Sequence, residues 1–230
     1  MSIQFLALFG SCARGDQEDS SDIDVLAVAR EGKFKAVSLN KLNISIYPES
    51  YMIDNASRGD LFVLHIVREA KPIYDESGIF SKLKSTFRYK DTYEQEIKLA
   101  SDLGWFITTW KERFKDQRLF NKRMAWCLRT ILIAKSTEEG EPTFSAAKLA
   151  MLAESDSVLK VIEQKDRKTI DREVVRQFEV LLQKFGRPIP RELKGATIQS
   201  AHNYFMRENN SIATKTAEAV LRSINAESYL

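Results

Sequence analysis

Short apolar runs separated by turn residues dominate the first third of the chain, which is the pattern of β-strands. Residues 42–47 alternate apolar and polar side chains, as a strand with one buried face does. Apolar positions within 50–64 share one helical side, but Gly59 interrupts that side, so a loop and two short helices are equally good interpretations. The predicted strands span residues 3–9, 23–29, 37–39, 42–47 and 71–75.

The pattern changes at about residue 91, where apolar positions begin to recur at helical spacing. Repeated amphipathic stretches continue to the C-terminus, separated by loops such as the one around Gly140 and Pro142. We therefore predict two domains, a mixed α/β domain at 1–90 and an all-helical bundle of five or six helices at 91–230.

Composition narrows the class of protein only mildly. The 230 residues are 43% hydrophobic, which is enough for a packed core, and the formal charge is +3. Cys12 and Cys127 lie far apart, a spacing that favours neither a zinc site nor a disulfide framework. We find no leader pattern and no apolar run of 18 residues, so we expect a cytoplasmic protein with no membrane partner.

The first strand ends in a stretch whose residue types point to phosphate and metal chemistry. Gly10 permits a sharp turn, and Ser11 follows it at the predicted start of a helix, where free N–H groups favour a phosphate. Ten residues after Ser11 come Asp22 and then Asp24, which share one face if the chain is extended there. Paired carboxylates facing a phosphate-binding turn are typical of a site for Mg²⁺.

This Gly-Ser pair, followed after ten residues by Asp-x-Asp, resembles the signature of the minimal nucleotidyltransferases, a family within the polymerase-β-like superfamily. The residues Ala13 to Asp16 and Ser21 to Asp24 are similar to the commonest wording of that motif. The resemblance implies an α+β fold, a polymerase-β-like domain of mixed sheet and flanking helices, here followed by the helical bundle.

The resemblance also implies an activity, the Mg²⁺- or Mn²⁺-dependent transfer of a nucleoside monophosphate from a nucleoside triphosphate such as ATP to an acceptor hydroxyl. Asp22 and Asp24 would then be catalytic and hold the metal, while Gly10 and Ser11 would hold phosphates. Arg14 is a further candidate for the nucleotide, with pairing to Asp16, Glu18 or Asp19 as its alternative. The acceptor classes that the superfamily serves include protein side chains (possibly those of a toxin in a toxin–antitoxin pair), RNA 3′ ends and small antibiotics.

One departure from the family's pattern concerns the acceptor side of the site. The family usually places a third carboxylate on the strand after Asp24, where it takes the proton of the acceptor. Here the corresponding positions are Asn43 and Ser45, with Glu49 just beyond the strand as a substitute. The alternative function is therefore a non-catalytic nucleotide-binding pseudoenzyme or an antitoxin-like partner that neutralises another protein.

A basic run between residues 111 and 135 is the strongest charge feature of the predicted bundle. It holds eight basic residues against two acidic ones, whereas residues 1–90 contain twelve of each sign. The run is interpreted either as an electropositive wall for a triphosphate or RNA, with Lys122 and Arg123 as first candidates for the nucleotide, or as a solvated helix face. We expect the nucleotide in the cleft between the two domains, and the bundle to bind the acceptor or partner.

Overall fold

The structure is a computed structural model that describes residues 2–17 and 21–225. The chain divides into two compact units, residues 1–91, here called the head, and residues 92–230, here called the bundle. The α+β class predicted from the sequence is confirmed, because a mixed sheet with helices is followed by an all-helical region.

A mixed five-stranded sheet, counted over the described residues, forms the centre of the head, with strand order β3-β4-β2-β1-β5. The pair β2–β4 is parallel and the other neighbours are antiparallel. The strands are β1 (Ile3–Phe9), β2 (Ile23–Ala29), β3 (Lys35–Leu39), β4 (Leu42–Pro48) and β5 (Lys71–Tyr74).

Four helices of the described head connect and cover these strands: α1 (Ser11–Arg14), α2 (Glu49–Ser57), α3 (Leu61–Glu69) and α4 (Ile79–Thr86). Of the two interpretations of residues 50–64, two short helices is the right one. Gly59 lies between them with φ +69°, and a Cβ there would approach the carbonyl oxygen of Arg88 to 2.5 Å. Asp60 then starts α3, since its carboxylate accepts hydrogen bonds from the N–H groups of Phe62 and Val63.

The large core side chains of the head lie on one face of the sheet. Phe5 and Ala7 of β1 are fully buried, and Leu26 and Val28, their register partners on β2, are buried as well. Phe5 stacks on Phe80 of α4, with ring centroids 5.8 Å apart. Burial follows the period of two along β1, whereas on β2 the small side chains of Ala27 and Ala29, on the opposite face, are buried too.

The bundle contains seven α-helices within the described residues, so the predicted count of five or six is wrong. The additional boundary lies between residues 163 and 172, where a 3₁₀ turn at Gln164–Asp166 and the extended Arg167 interrupt the apolar pattern of residues 158–185. The helices are α5 (Glu94–Thr109), α6 (Gln117–Glu138), α7 (Ala146–Ala153), α8 (Ser157–Glu163), α9 (Arg172–Phe185), α10 (Ile198–Arg207) and α11 (Ser211–Asn225).

A charged network joins α5 to α10 inside the bundle. Lys98 Nζ lies 2.9 Å from Asp102 Oδ2, 3.0 Å from the Tyr204 hydroxyl and 2.7 Å from Glu208 Oε2. The Tyr204 hydroxyl also donates to Asp102 at 2.8 Å. Asp102 is 1% exposed, and burial raises the pKa of its carboxyl although Lys98 and Tyr204 oppose that shift. Lys98 therefore compensates a charge that has little access to water.

We predict that Lys98→Met lowers the free energy of unfolding of the bundle by about 2 kcal/mol, because it leaves Asp102 buried without its cation. This value allows for the access of Lys98 to solvent, since its side chain is 35% exposed. The matched control is Arg118→Met, which removes an exposed ion pair with Asp166 and should cost at most about 1 kcal/mol. Urea unfolding followed by circular dichroism measures both, and equal losses would contradict the prediction.

Candidate active site at the end of β1

The tight turn after β1 is built around a glycine that no other residue replaces without strain. Gly10 has φ +73° and ψ −154°, a conformation that is open essentially to glycine alone. Helix α1 begins at the next residue, Ser11. It ends at Arg14, and the capping residue Gly15 has a left-handed backbone conformation. The N–H of Arg14 donates to the carbonyl of Gly10 at 3.1 Å, which closes the turn.

The turn and the second acid of the motif lie against each other. A Cβ added at Gly10 would lie 3.1 Å from Asp24 Oδ2 and 3.8 Å from the Asp24 Cβ. This proximity follows from the sheet, because Phe9, the residue before Gly10, is the register partner of Asp24 in the β1–β2 pair. The carboxylate of Asp24 is thus held beside the backbone of the turn.

Asp22 stands immediately before β2, which begins at Ile23. The thiol of Cys12 in α1 donates to the backbone carbonyl of Asp22 at 3.5 Å, and the N–H of Ile23 donates to the carbonyl of Lys41 at 2.7 Å. Two contacts therefore fix the backbone around Asp22, one to the turn and one to the β3–β4 hairpin. This contact of Cys12 was not predicted from the sequence, because nothing in the local pattern indicates it.

The register of the sheet places the two candidates for the third acid at different distances from Asp24. Asn43 is the direct partner of Asp24 in the parallel β2–β4 pair, and Ser45 is the partner of buried Leu26, two pairs further along. The Ser38 hydroxyl donates to Asn43 Oδ1 at 2.8 Å. Glu49 lies beyond the other end of β4 and accepts a hydrogen bond from Lys82, so the structure does not bring it to Asp24.

Arg14 is engaged in ion pairs. Its Nη1 lies 2.7 Å from Glu69 Oε2, and its Nε lies 3.0 Å from Asp16 Oδ2. Burial disfavours the charged guanidinium, but the hydrogen bonds to Asp16 and Glu69 outweigh burial and raise the pKa of Arg14. These pairs attach α1 to α3, and a contact of Arg14 with a nucleotide stays a prediction.

Glu69 receives a second contact, from His65 Nε2 at 3.0 Å, and His65 packs edge-on against the ring of Phe9. Burial raises the pKa of Glu69, but the hydrogen bonds from His65 and Arg14 outweigh that effect and leave the pKa below its ordinary value. The role of Glu69 could not be predicted from the sequence, because it lies 55 residues from Arg14 and no local pattern connects the two.

The two basic residues assigned to the nucleotide from the sequence lie in α6 of the bundle. Lys122 is half exposed, and its Nζ lies 4.0 Å from Asp166 Oδ1. Arg123 is partly buried and donates from Nε to the Thr216 hydroxyl at 2.9 Å, and burial lowers the pKa of its guanidinium. Arg123 therefore joins α6 to α11, and the binding of a nucleotide by either side chain stays a prediction.

The donor set at the turn fits a hard divalent cation. Carboxylate oxygens are the protein ligands that Mg²⁺ prefers, and Mg²⁺ usually takes one or two of them together with substrate phosphates and water. Asp24 supplies such oxygens beside the backbone of Gly10, and Asp22 precedes it by two residues, with its backbone carbonyl bonded to Cys12 of α1. Within residues 2–17 and 21–225, no group of three or more His, Cys, Asp or Glu side chains is placed to hold a metal.

Comparison with known proteins identifies the class of the head. Residues 1–78 match the family model described as polymerase beta, nucleotidyltransferase. The N-terminal part of the chain is therefore a nucleotidyltransferase domain of the polymerase-β-like superfamily, and the predicted resemblance is confirmed at that level. Membership of the minimal nucleotidyltransferases within the superfamily stays a prediction.

Among solved structures, the chain matches the nucleotidyltransferase-like protein from Exiguobacterium sibiricum 255-15. The two are 16% identical, the match covers 89% of this chain and 72% of that one, and the TM-score is 0.33. No curated protein matches the chain. None of the helices in the described part of the chain is long and apolar enough to span a membrane.

We predict that Gly10→Ala weakens the binding of a nucleoside triphosphate with Mn²⁺ by about tenfold or more, since the new methyl group presses on Asp24 in a backbone conformation that alanine avoids. The matched control is Gly15→Ala, which also forces a positive φ but meets no atom within 4 Å. Gly15→Ala should cost about 1 kcal/mol of stability and leave the affinity unchanged. Calorimetric titration measures the affinity, and equal effects of the two variants would refute the role of Gly10.

Proposed function

We propose that the protein is a metal-dependent nucleotidyltransferase, which transfers a nucleoside monophosphate from a nucleoside triphosphate to an acceptor hydroxyl. The observation that supports this most is the placement of the Asp24 carboxylate against the backbone of Gly10, 3.1 Å from where a Cβ would stand. A phosphate bound at the turn and a cation bound at the acids would then be neighbours. The match of residues 1–78 to the nucleotidyltransferase family model supports the same class of reaction.

In this proposal each residue of the turn has a defined task. Gly10 lets the phosphates approach the backbone, and the N–H groups at the start of α1 at Ser11 donate to them, because the first N–H groups of a helix have no partner inside it. Asp22 and Asp24 hold Mg²⁺ or Mn²⁺. The cation supplies Lewis acidity and neutralises the charge that builds on the leaving pyrophosphate.

The transfer itself exchanges one bond to phosphorus for another. The acceptor oxygen forms a bond to the α-phosphorus while the bond to the bridging oxygen of pyrophosphate breaks, and the hydroxyl proton passes to a base. Asn43, the neighbour of Asp24, carries an amide and does not serve as that base. We therefore expect slow turnover, or an acceptor that provides its own base.

The same position favours a second candidate function. Asn43 in place of an acid, with its Oδ1 bonded to Ser38, suits a protein that binds a nucleotide without transferring it. Such a pseudoenzyme would act as a nucleotide sensor or as an antitoxin-like partner of another protein. The two candidates share the nucleotide site and differ in the release of pyrophosphate.

For the acceptor we propose a hydroxyl of a protein side chain, such as one on a toxin, or of an RNA 3′ end, selected by the bundle. The support is the distribution of charge, since the head is balanced and the basic run of residues 111–135 lies in α6 and the segment before it. Of the two candidate residues in that run, Lys122 is more exposed than Arg123. An acceptor that carries phosphates would bind there more weakly as salt rises.

We predict that Asp22→Asn and Asp24→Asn each weaken the binding of a nucleoside triphosphate with Mn²⁺ by about tenfold or more, because each removes a carboxylate from the proposed cation site. Asp54→Asn is the matched control, an exposed acid of α2 whose replacement should leave the affinity unchanged. Calorimetry with and without EDTA measures the effect. Full affinity in EDTA, or in both site variants, would exclude a metal-dependent nucleotide site.

We predict that Asn43→Asp raises the rate of pyrophosphate release several-fold, since it places a base beside Asp24. Ser45→Asp is the comparison, because it sets a similar charge two residue pairs away from the Asp24–Asn43 pair. A coupled pyrophosphate assay with each nucleoside triphosphate and each class of acceptor measures the rates. If Asn43→Asp leaves the rate unchanged, the missing carboxylate is not what limits turnover.

A further inference from the structure

Four aromatic side chains of the head form a connected group, here called the aromatic cluster: Phe34, Tyr47, Tyr51 and Phe62. The ring of Tyr47 lies at the centre, with centroids 4.6 Å from Phe34, 5.1 Å from Tyr51 and 5.4 Å from Phe62. The rings of Tyr47 and Tyr51 are nearly parallel, at 15°. Phe34 is 54% exposed and Tyr51 is 48% exposed, so two large rings of the cluster face solvent.

The aromatic cluster lies on the face of the sheet that carries Asp24. Asn43, Ser45 and Tyr47 are alternate residues of β4, so their side chains share one face of the sheet. Asp24 lies on that face as well, because it is the partner of Asn43 in the unbroken β2–β4 register. Tyr47 follows Asn43 by four residues, about 13 Å along a strand. Phe62 connects the two regions, because its ring contacts Tyr47 and also Phe9, the other neighbour of Asp24.

Positive charge accompanies the exposed ring of Phe34. Lys33 and Lys35 flank it in the chain, both are exposed, and neither forms an ion pair or hydrogen bond through its side chain within the described residues. The carboxylate of Asp60, which lies near Tyr47 and Tyr51, is bonded to the N–H groups at the start of α3. Exposed rings beside unpaired cations are the combination with which proteins bind single-stranded nucleic acid, since bases stack on rings and phosphates attract cations.

We propose that the aromatic cluster binds a nucleobase near the end of a single-stranded RNA acceptor, by stacking on Phe34 and Tyr51 with Lys33 and Lys35 close to its phosphates. The inference rests on the proposed function, because an acceptor hydroxyl beside Asn43 and Ser45 leaves the rest of the acceptor to extend along β4 toward Tyr47. The head then contributes to the selection of the acceptor.

The test uses the full chain and two fluorescent probes of about ten nucleotides, a single-stranded RNA and a matched oligonucleotide that lacks bases. Fluorescence anisotropy should show that the wild type binds the RNA more tightly than the abasic probe. Phe34→Ala combined with Tyr51→Ala should weaken RNA binding by roughly tenfold or more and leave the abasic probe unaffected. Tyr89→Ala is the matched control, a ring of the head that is also 54% exposed, and it should change neither affinity.

Two further variants separate stacking from charge. Phe34→Trp should keep or strengthen RNA binding, because the larger ring still stacks. Lys33→Glu combined with Lys35→Glu should weaken the binding of both probes. It should also reduce the slope of log affinity against log salt concentration by about 2. A double ring variant that binds RNA like the wild type would overturn the proposal, as would equal losses on both probes or a wild type that binds neither.

The outcome is distinguishable from a failure of the proposed function. Calorimetry with a nucleoside triphosphate and Mn²⁺ on the same preparations reports the site at Asp22 and Asp24 alone. Retained nucleotide binding without any preference for the RNA would refute the aromatic cluster as an acceptor site and leave the proposed reaction intact. If the wild type does not bind the nucleotide, the proposed reaction is refuted, whether or not the protein binds the RNA.

Discussion

The absence of a side chain at Gly10 is the constraint on which the site of the head depends. Only without a Cβ does the chain leave β1 with φ +73° and ψ −154° and pass so close to the carboxylate of Asp24. The sheet enforces that proximity, because the residue before the glycine pairs with Asp24. A fixed backbone amide region and a fixed carboxylate are thereby neighbours before any ligand binds, which is what preorganisation requires.

The parts of the fold that the sequence predicted are those with strong local periodicity. The strands Ile3–Phe9 and Ile23–Ala29 have the bounds that their apolar runs indicate, and the α+β class is confirmed. The bundle was less predictable because short helices joined by short turns, such as the 3₁₀ turn Gln164–Asp166 between α8 and α9, share one continuous apolar pattern. Periodicity reports burial and is insensitive to a few residues that leave the helix.

The site shows the same division between local and distant information. Gly10, Ser11, Asp22 and Asp24 were recognisable from spacing, and the family model matches the segment that holds them. The contacts that hold this segment in place were not, since Glu69 reaches Arg14 across 55 residues and Asn43 reaches Asp24 only through strand pairing. Which of Asn43 and Ser45 lies beside Asp24 is a matter of register, and register is decided by the whole sheet.

The parallel pairing of β2 with β4 has a consequence for how the head acquires its site during folding. The β3–β4 hairpin closes locally, whereas the β2–β4 pair joins residues 19 positions apart and β5 reaches β1 from more than 60 positions away. Contacts of long sequence separation require loop closure before they contribute, so they form late. A fragment with residues 1–30 would contain the entire recognisable motif and still lack Asn43 beside Asp24, Glu69 against Arg14 and the outer strands. The arrangement of this site therefore depends on the whole folded head and not only on the segment that contains the motif.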